Sequence, residues 1–211
     1  MIKINEIFRS IQGESTRVGL PTVFVRTTGC PLRCSYCDTK YSYYEGEFQT
    51  IPNLIERITA YKTKAVCITG GEPLLQKEVL KLMTQLCDLG HDLSLETSGA
   101  RSCREVDPRV RLILDVKTPD SGAADSFLLE NLEVPATSEF KFVISSEKDF
   151  NWAESFCRQY DLFNRYTVLY SPVHGSSDPR WLAESILKNF SSARLQLQLH
   201  KYIWSSDQRG V

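Results

Sequence analysis

The chain predicts an α/β fold built on one open parallel sheet, and three observations carry that expectation. Short β-rich runs recur along its whole length. Helical patterns separate most of them, so consecutive strands need crossovers and lie parallel. The unusual residues, glycines, cysteines and isolated polar groups, follow the runs at one end, where ligands gather in such sheets. Seven runs are too few to close an eight-stranded barrel, so a partial, open parallel β/α barrel is expected. No Pro/Gly-rich linker and no repeat interrupts the chain, which implies a single domain over residues 1–211.

The strands are expected at Thr22–Thr27, Ala65–Thr69, Leu93–Thr97, Arg111–Val116, Glu139–Ile144, Thr167–Ser171 and Arg194–Gln198. Each is bounded by Gly, Pro, Ser or charged residues. Between them, Ile51, Leu54, Ile55 and Ile58 repeat at helical spacing behind a Thr50 N-cap. Val79, Leu82, Met83 and Leu86 repeat in the same way up to Gly90, a helix stop. Trp152, Phe156 and Tyr160 stack one face of a helix over Asp149–Tyr160. Asp178-Pro179 joins an N-cap to a proline in the first turn and opens a helix to about Asn189. Behind the strands come GCPLRC, TGGEP, SGA, KTP, PVHG and LHK, which are expected to share one rim.

Composition narrows the function classes. Charged residues make up 24% and the formal net charge is −1 with no long run of one sign, which argues against a nucleic-acid stripe or an anionic-membrane surface. No window approaches the length of a membrane helix and MIKINEIFRS is no signal peptide, so a cytoplasmic protein is expected. Seven cysteines in such a chain should stay mostly reduced. Cys67, Cys87, Cys103 and Cys157 are scattered and read as packing thiols.

Cys30, Cys34 and Cys37 are different, because the spacing C-x3-C-x2-C gathers three thiols after one strand. Three thiolates suit a [4Fe–4S] cube whose fourth iron stays open to a small molecule. They also suit a zinc with an open position, or a set of redox thiols. A zinc usually draws on His or carboxylate ligands, and His91, His174 and His200 lie far away in sequence, which favours the cluster.

The motif, with Tyr36 just before the last cysteine and TGGEP (Thr69–Pro73) downstream, resembles the radical S-adenosylmethionine (SAM) superfamily. The resemblance implies that the open iron chelates SAM, whose homolytic cleavage yields a 5'-deoxyadenosyl radical. It narrows with NEIFRSIQGES, FVRTTGCPLRCSYCDT, ETSG, DVKTPDSG and QLHKYIW, which are similar in family order to 7-carboxy-7-deazaguanine synthases from about Ile4 to Trp204. That family contracts 6-carboxy-5,6,7,8-tetrahydropterin to 7-carboxy-7-deazaguanine with loss of ammonia, on the route to queuosine. The resemblance implies a [4Fe–4S] cluster, SAM and Mg2+ as cofactors. It further implies a homodimer and a reducing partner of the flavodoxin or ferredoxin type.

Residue chemistry runs beside that resemblance. Ile11, Gln12, Gly13 and Glu14 are expected at the substrate: Glu14 accepts from an amino-pyrimidinone edge, and Gln12 both donates and accepts. Arg26 is the bidentate partner for the substrate carboxylate. Thr69, His200 and Lys201 complete the expected substrate set, and Thr39 offers an oxygen to Mg2+. SAM is expected against Tyr36, Cys37, Asp38, Gly70, Gly71, Glu72, Ser98, Asp115 and Lys117, the two glycines letting backbone approach its methionyl amino group. The chain departs from the resemblance at Asp115-Val116-Lys117, where many members carry Ser-Pro-Lys; only the lysine is kept. The rival readings are a glycyl-radical activase, acting on a polypeptide, and a non-catalytic zinc or cluster module.

Overall fold

A computed structural model describes residues 1–206 and 208–211. Its centre is one nine-stranded sheet, and the strands are β1 (Ile2–Ile11), β2 (Pro21–Thr27), β3 (Glu47–Gln49), β4 (Ala65–Gly70), β5 (Asp92–Thr97), β6 (Arg111–Val116), β7 (Glu139–Ile144), β8 (Thr167–Pro172) and β9 (Arg194–Leu195). Their order is β3-β1-β2-β4-β5-β6-β7-β8-β9, with β3 and β9 as edges, so the sheet is not closed. The seven expected strands are the seven that run parallel, β2 and β4 to β9.

Four longer helices lie on the crossovers: α1 (Ile51–Ala60), α2 (Glu78–Asp88), α3 (Glu147–Gln159) and, after the short α4 (Leu162–Arg165), α5 (Pro179–Lys188). Thr50, Ser146 and Asp178 cap α1, α3 and α5 by accepting backbone N–H bonds from Asn53, Asp149 and Arg180. The crossovers β5→β6 and β6→β7 use turns in place of an α-helix.

Two strands were not legible. β1 pairs antiparallel with β2 and β3, and a register shift between Ile4 and Glu6 breaks its alternation. Ile2 and Ile4 are buried before the shift and Ile7 after it, so the period-two pattern changes phase mid-strand. β3 has three residues, too few to show a pattern. The expected strand Arg194–Gln198 is shorter, ending at Leu195. Beyond it the side chain of Gln196 turns to Ser15 O, and His200 opens a short helix, α6 (His200–Ile203).

The sheet has two unlike faces. The helix-covered face is apolar, with Val23, Val25, Val66, Ile68, Leu93, Leu95, Leu112, Leu114, Phe140, Phe142, Val168 and Tyr170 in one core. The concave face has only a small apolar cluster of Phe8, Phe24 and Cys67. Two residues further along their strands, Phe24 gives way to Arg26 and Cys67 to Thr69. On the following strands Glu96 stands opposite Ile113, and Asp115 pairs with Lys141 two residues further along.

Among the described residues no helix is long and apolar enough to cross a membrane. Phe142 is fully buried between Trp152, Phe156 and Tyr170, with ring centroids 5.7–6.5 Å away. Phe142→Ala is expected to destabilise the fold by about 3–5 kcal/mol, read as a lower urea midpoint with an unchanged m-value.

Candidate active site

The concave face opens into a cavity of about 320 Å3. The rim expectation holds for the segments after the parallel strands: Cys30, Cys34, Cys37, Gly70, Gly71, Ser98, Lys117 and His174 all line it. Ile11 to Glu14 arrive from elsewhere. Ile11 pairs with Pro21, the first residue of β2, so the loop after β1 starts at the N-terminal ends of the parallel strands. Arg17 forks onto Asp92 at 2.8 Å, and Thr16 N donates to Glu139 at 2.9 Å, at the first residues of β5 and β7. The loop is therefore a floor. It also forms a seam with the C-terminal segment: Gln196 Nε2 donates to Ser15 O, Gln198 Nε2 to Glu14 Oε1 and Leu199 N to Gly13 O, at 2.8–3.0 Å.

The cavity's charges come in partnered sets. Lys141 is buried and bridges Glu14 and Asp115, the latter at 3.4 Å, while Lys117 lies 2.9 Å from the other Asp115 oxygen. Glu96 accepts from Thr69 Oγ1 at 2.8 Å and from Gln12 Nε2 at 3.4 Å. Arg26 Nε donates to Glu6 Oε1 at 2.7 Å. Lys201 pairs with Asp38 at 2.5 Å, and Thr39 Oγ1 donates to the other Asp38 oxygen at 2.8 Å.

These neighbours set protonation. Burial works against the Glu14 charge, but Lys141 and then His200 outweigh it and hold its carboxyl below the ordinary range. Burial and the Glu14 charge push the Glu96 carboxyl up. One carboxyl is thus held ionised and its neighbour is driven toward the neutral form. Burial lowers His200, favouring the neutral ring. Burial disfavours the Lys117 charge, and Asp115 overrides it. Tyr36 is pushed up to about 12, chiefly by burial, and stays a phenol.

Every expected site residue lines the cavity except Glu72. Glu72 is wholly buried and accepts from Thr97 Oγ1, Ser98 N, Ser98 Oγ and Leu74 N at 2.6–3.1 Å. It ties the TGGEP turn to the ETSG turn and does not face ligand space. Two glycines also allow close packing within the protein. A Cβ on Gly71 would lie 2.1 Å from Gly29 O and 2.9 Å from Cys30 Cβ, so this glycine lets the turn pack on the cysteine loop. A Cβ on Gly13 would lie 2.1 Å from His200 Nδ1, so Gly13 makes room for the ring.

Sequence reasoning did not single out Glu96, Lys141, Gln198, Glu6 or Tyr41. The available signal was one charge inside an apolar strand, as in LSLET and EFKFVI.

The three thiols fit a cluster. All are free, partly exposed and on one cavity wall. Among the described residues no group of three or more His, Cys, Asp or Glu side chains is gathered as for a single metal ion.

The fold and this wall of thiols define a radical SAM enzyme, and the profile of the Radical SAM superfamily matches residues 24–121. A 7-carboxy-7-deazaguanine synthase of Chlorobaculum tepidum is 43% identical across all of this chain and 97% of that protein. One of Koribacter versatilis is 38% identical across the whole of both. The chain belongs to the 7-carboxy-7-deazaguanine synthase family. A crystal structure of QueE from Escherichia coli shares the fold, with a TM-score of 0.78 over 94% of both chains at 24% identity. A crystal structure of Streptococcus suis SuiB bound to S-adenosylmethionine shares it at TM-score 0.54, over 80% of this chain and 47% of that one, at 15% identity.

Glu96 binds a proton more tightly folded than unfolded, so wild-type stability falls as pH rises through the window between the ordinary carboxylate range and the raised value. Glu96→Gln does not titrate. Its stability relative to wild type is expected to increase across that window and then level off. Urea midpoints of both proteins from about pH 4 to about pH 8 read this; a constant difference refutes it.

Proposed function

We propose that the chain converts 6-carboxy-5,6,7,8-tetrahydropterin to 7-carboxy-7-deazaguanine with loss of ammonia, a step toward queuosine. Full-length identity to synthases of that name supports the reaction. The single structural observation that carries it is the shared lining of one cavity, which brings Cys30, Cys34 and Cys37 together with Gln12, Glu14 and Arg26.

Cys30, Cys34 and Cys37 would hold the [4Fe–4S] cluster, and Gly70, Gly71, Ser98, Asp115 and Lys117 would hold SAM. When bound, this pair supplies the 5'-deoxyadenosyl radical that abstracts hydrogen from the substrate. The rest is the work of the chain's own side chains. Ionised Glu14 accepts from the amino-pyrimidinone edge, while Glu96 in its neutral form can donate to a ring acceptor. Arg26 meets the substrate carboxylate with its two terminal amino groups, since Nε is already bonded to Glu6. Neutral His200 and Lys201 close the side of the cavity, and the seam through Gln198 keeps water away from the reacting carbon.

Thr39, whose hydroxyl is held by Asp38, would offer an oxygen to Mg2+. A reducing partner of the flavodoxin or ferredoxin type supplies the electron. The chain works as one domain over residues 1–211 in a cytoplasmic homodimer. The polypeptide-activating alternative needs an open groove, whereas the floor loop and the seam border this cavity.

The test is an anaerobic assay of the reconstituted protein with reductant, SAM and 6-carboxytetrahydropterin, read by mass spectrometry. The deazaguanine product is expected from wild type. Cys34→Ala should lose the product together with the visible absorbance of the cluster. Arg26→Ala should lower kcat/KM for the pterin by about 10–100-fold. Formation of 5'-deoxyadenosine without the product would retain the radical SAM class and refute the substrate.

A further inference from the structure

Arginine is long and flexible, and a two-point grip on a carboxylate needs its plane fixed in advance. Arg26 is held by more than one contact. Its Nε donates to Glu6 Oε1 at 2.7 Å, and that same oxygen accepts the Tyr41 hydroxyl at 2.9 Å. The guanidinium carbon sits 6.0 Å from the ring centres of both Phe8 and Tyr41, so the rings flank it. Arg26 and Glu6 are 17% and 18% exposed, too little for water to substitute for these bonds. Among the described residues the terminal amino groups of Arg26 have no hydrogen-bond partner.

Tyr41 is itself held. The Arg209 guanidinium lies 3.7 Å from its ring centre and pairs with Glu45 at 2.9 Å. The chain of contacts thus runs Arg209, Tyr41, Glu6, Arg26, from the exterior to the cavity wall. Tyr41 stands on the 3-10 turn Lys40–Tyr43, four residues after Cys37, so the loop carrying the cysteines also carries this support.

We infer that Glu6 and Tyr41 are positioning residues that fix Arg26 for the carboxylate of the pterin, with Arg209 seating Tyr41 from outside. Neither residue touches the substrate. This rests on the proposed substrate, because it assigns the Arg26 terminal groups to that carboxylate. Glu6 as a plain neutralising charge is a different idea and gives a different result. Neutralisation needs no tyrosine hydroxyl, whereas positioning needs the acceptor oxygen held in place.

The experiment compares wild type with Tyr41→Phe, Arg209→Ala and Glu6→Gln, all reconstituted and matched for cluster absorbance. Tyr41→Phe is expected to raise KM for 6-carboxytetrahydropterin by about tenfold, with kcat and KM for SAM within about twofold. Arg209→Ala should raise the pterin KM by about threefold. Glu6→Gln keeps both hydrogen bonds in a neutral form and should rise less than Tyr41→Phe. The decisive readout is competition by tetrahydropterin lacking the 6-carboxylate, whose inhibition constant should be the same in wild type and Tyr41→Phe. Equal weakening of that analogue would show that Tyr41 supports the pocket at large and would overturn the inference. An active wild type whose Tyr41→Phe variant keeps its KM overturns it too, leaving the proposed function intact. A well-folded wild type that makes no product refutes the function itself, and the positioning role falls with it.

Discussion

Charge can be buried inside the curve of a sheet only if it is paired, and that constraint organises this molecule. The concave face presents Arg26, Glu96, Asp115 and Lys141 from neighbouring parallel strands, with Glu6 on the antiparallel strand beside them. None stands alone. Arg26 has Glu6, Glu96 has Thr69 and Gln12, and Lys141 has Glu14 and Asp115. Several of these partners come from loops, so electrostatics also fixes where the loops go. Withdrawing Glu14 would leave the Lys141 amine with Asp115 as its partner, and Asp115 is shared with Lys117.

The loops answer to a second constraint, close approach. The turn after β4 packs on the cysteine loop through backbone bonds, Glu72 N to Gly29 O at 2.7 Å and Gly71 N to Thr27 O at 3.2 Å. Side chains at positions 70 and 71 would strike Thr27 and Gly29. Glycine is required there by protein-to-protein packing before any ligand arrives. Glu72 then fastens the same turn to Ser98. Three turns that line one cavity are thus braced against each other, the preorganisation that a site for radical chemistry needs.

The parallel strands were legible because their apolar runs end at Gly, Pro or Ser, and all seven are strands in the structure. β1 was hidden by its bulge, since a change of phase mid-strand removes the alternation on which recognition depends. At the site, residues carried by motif, such as Glu14, Arg26 and Cys30, were visible in the sequence and line the cavity. Lys141 and Glu96 were not singled out, because a lone charge in a strand reveals its face only once its neighbours are known. Tyr41 and Arg209 left no trace at all: their contact joins positions 168 residues apart in a short turn and a tail without periodicity. Glu72 shows the opposite relation between motif and structure. Its place in a ligand-associated motif was clear, and its work is to hold that motif's backbone.

The two neighbouring carboxyls show how an open sheet can still make a selective cavity. Glu14 and Glu96 both face the same space, and two ionised carboxylates there would repel one another in a site with little water. Lys141 keeps Glu14 ionised, while burial and the Glu14 charge push Glu96 toward its protonated form against the pull of the Thr69 donor. One carboxyl becomes a fixed acceptor and the other keeps access to a proton. A planar heterocycle with donors and acceptors along one edge can satisfy both at once, whereas a purely apolar guest would leave both unpartnered on that side. The selectivity of the cavity therefore follows from the same pairing that allows charge inside the sheet.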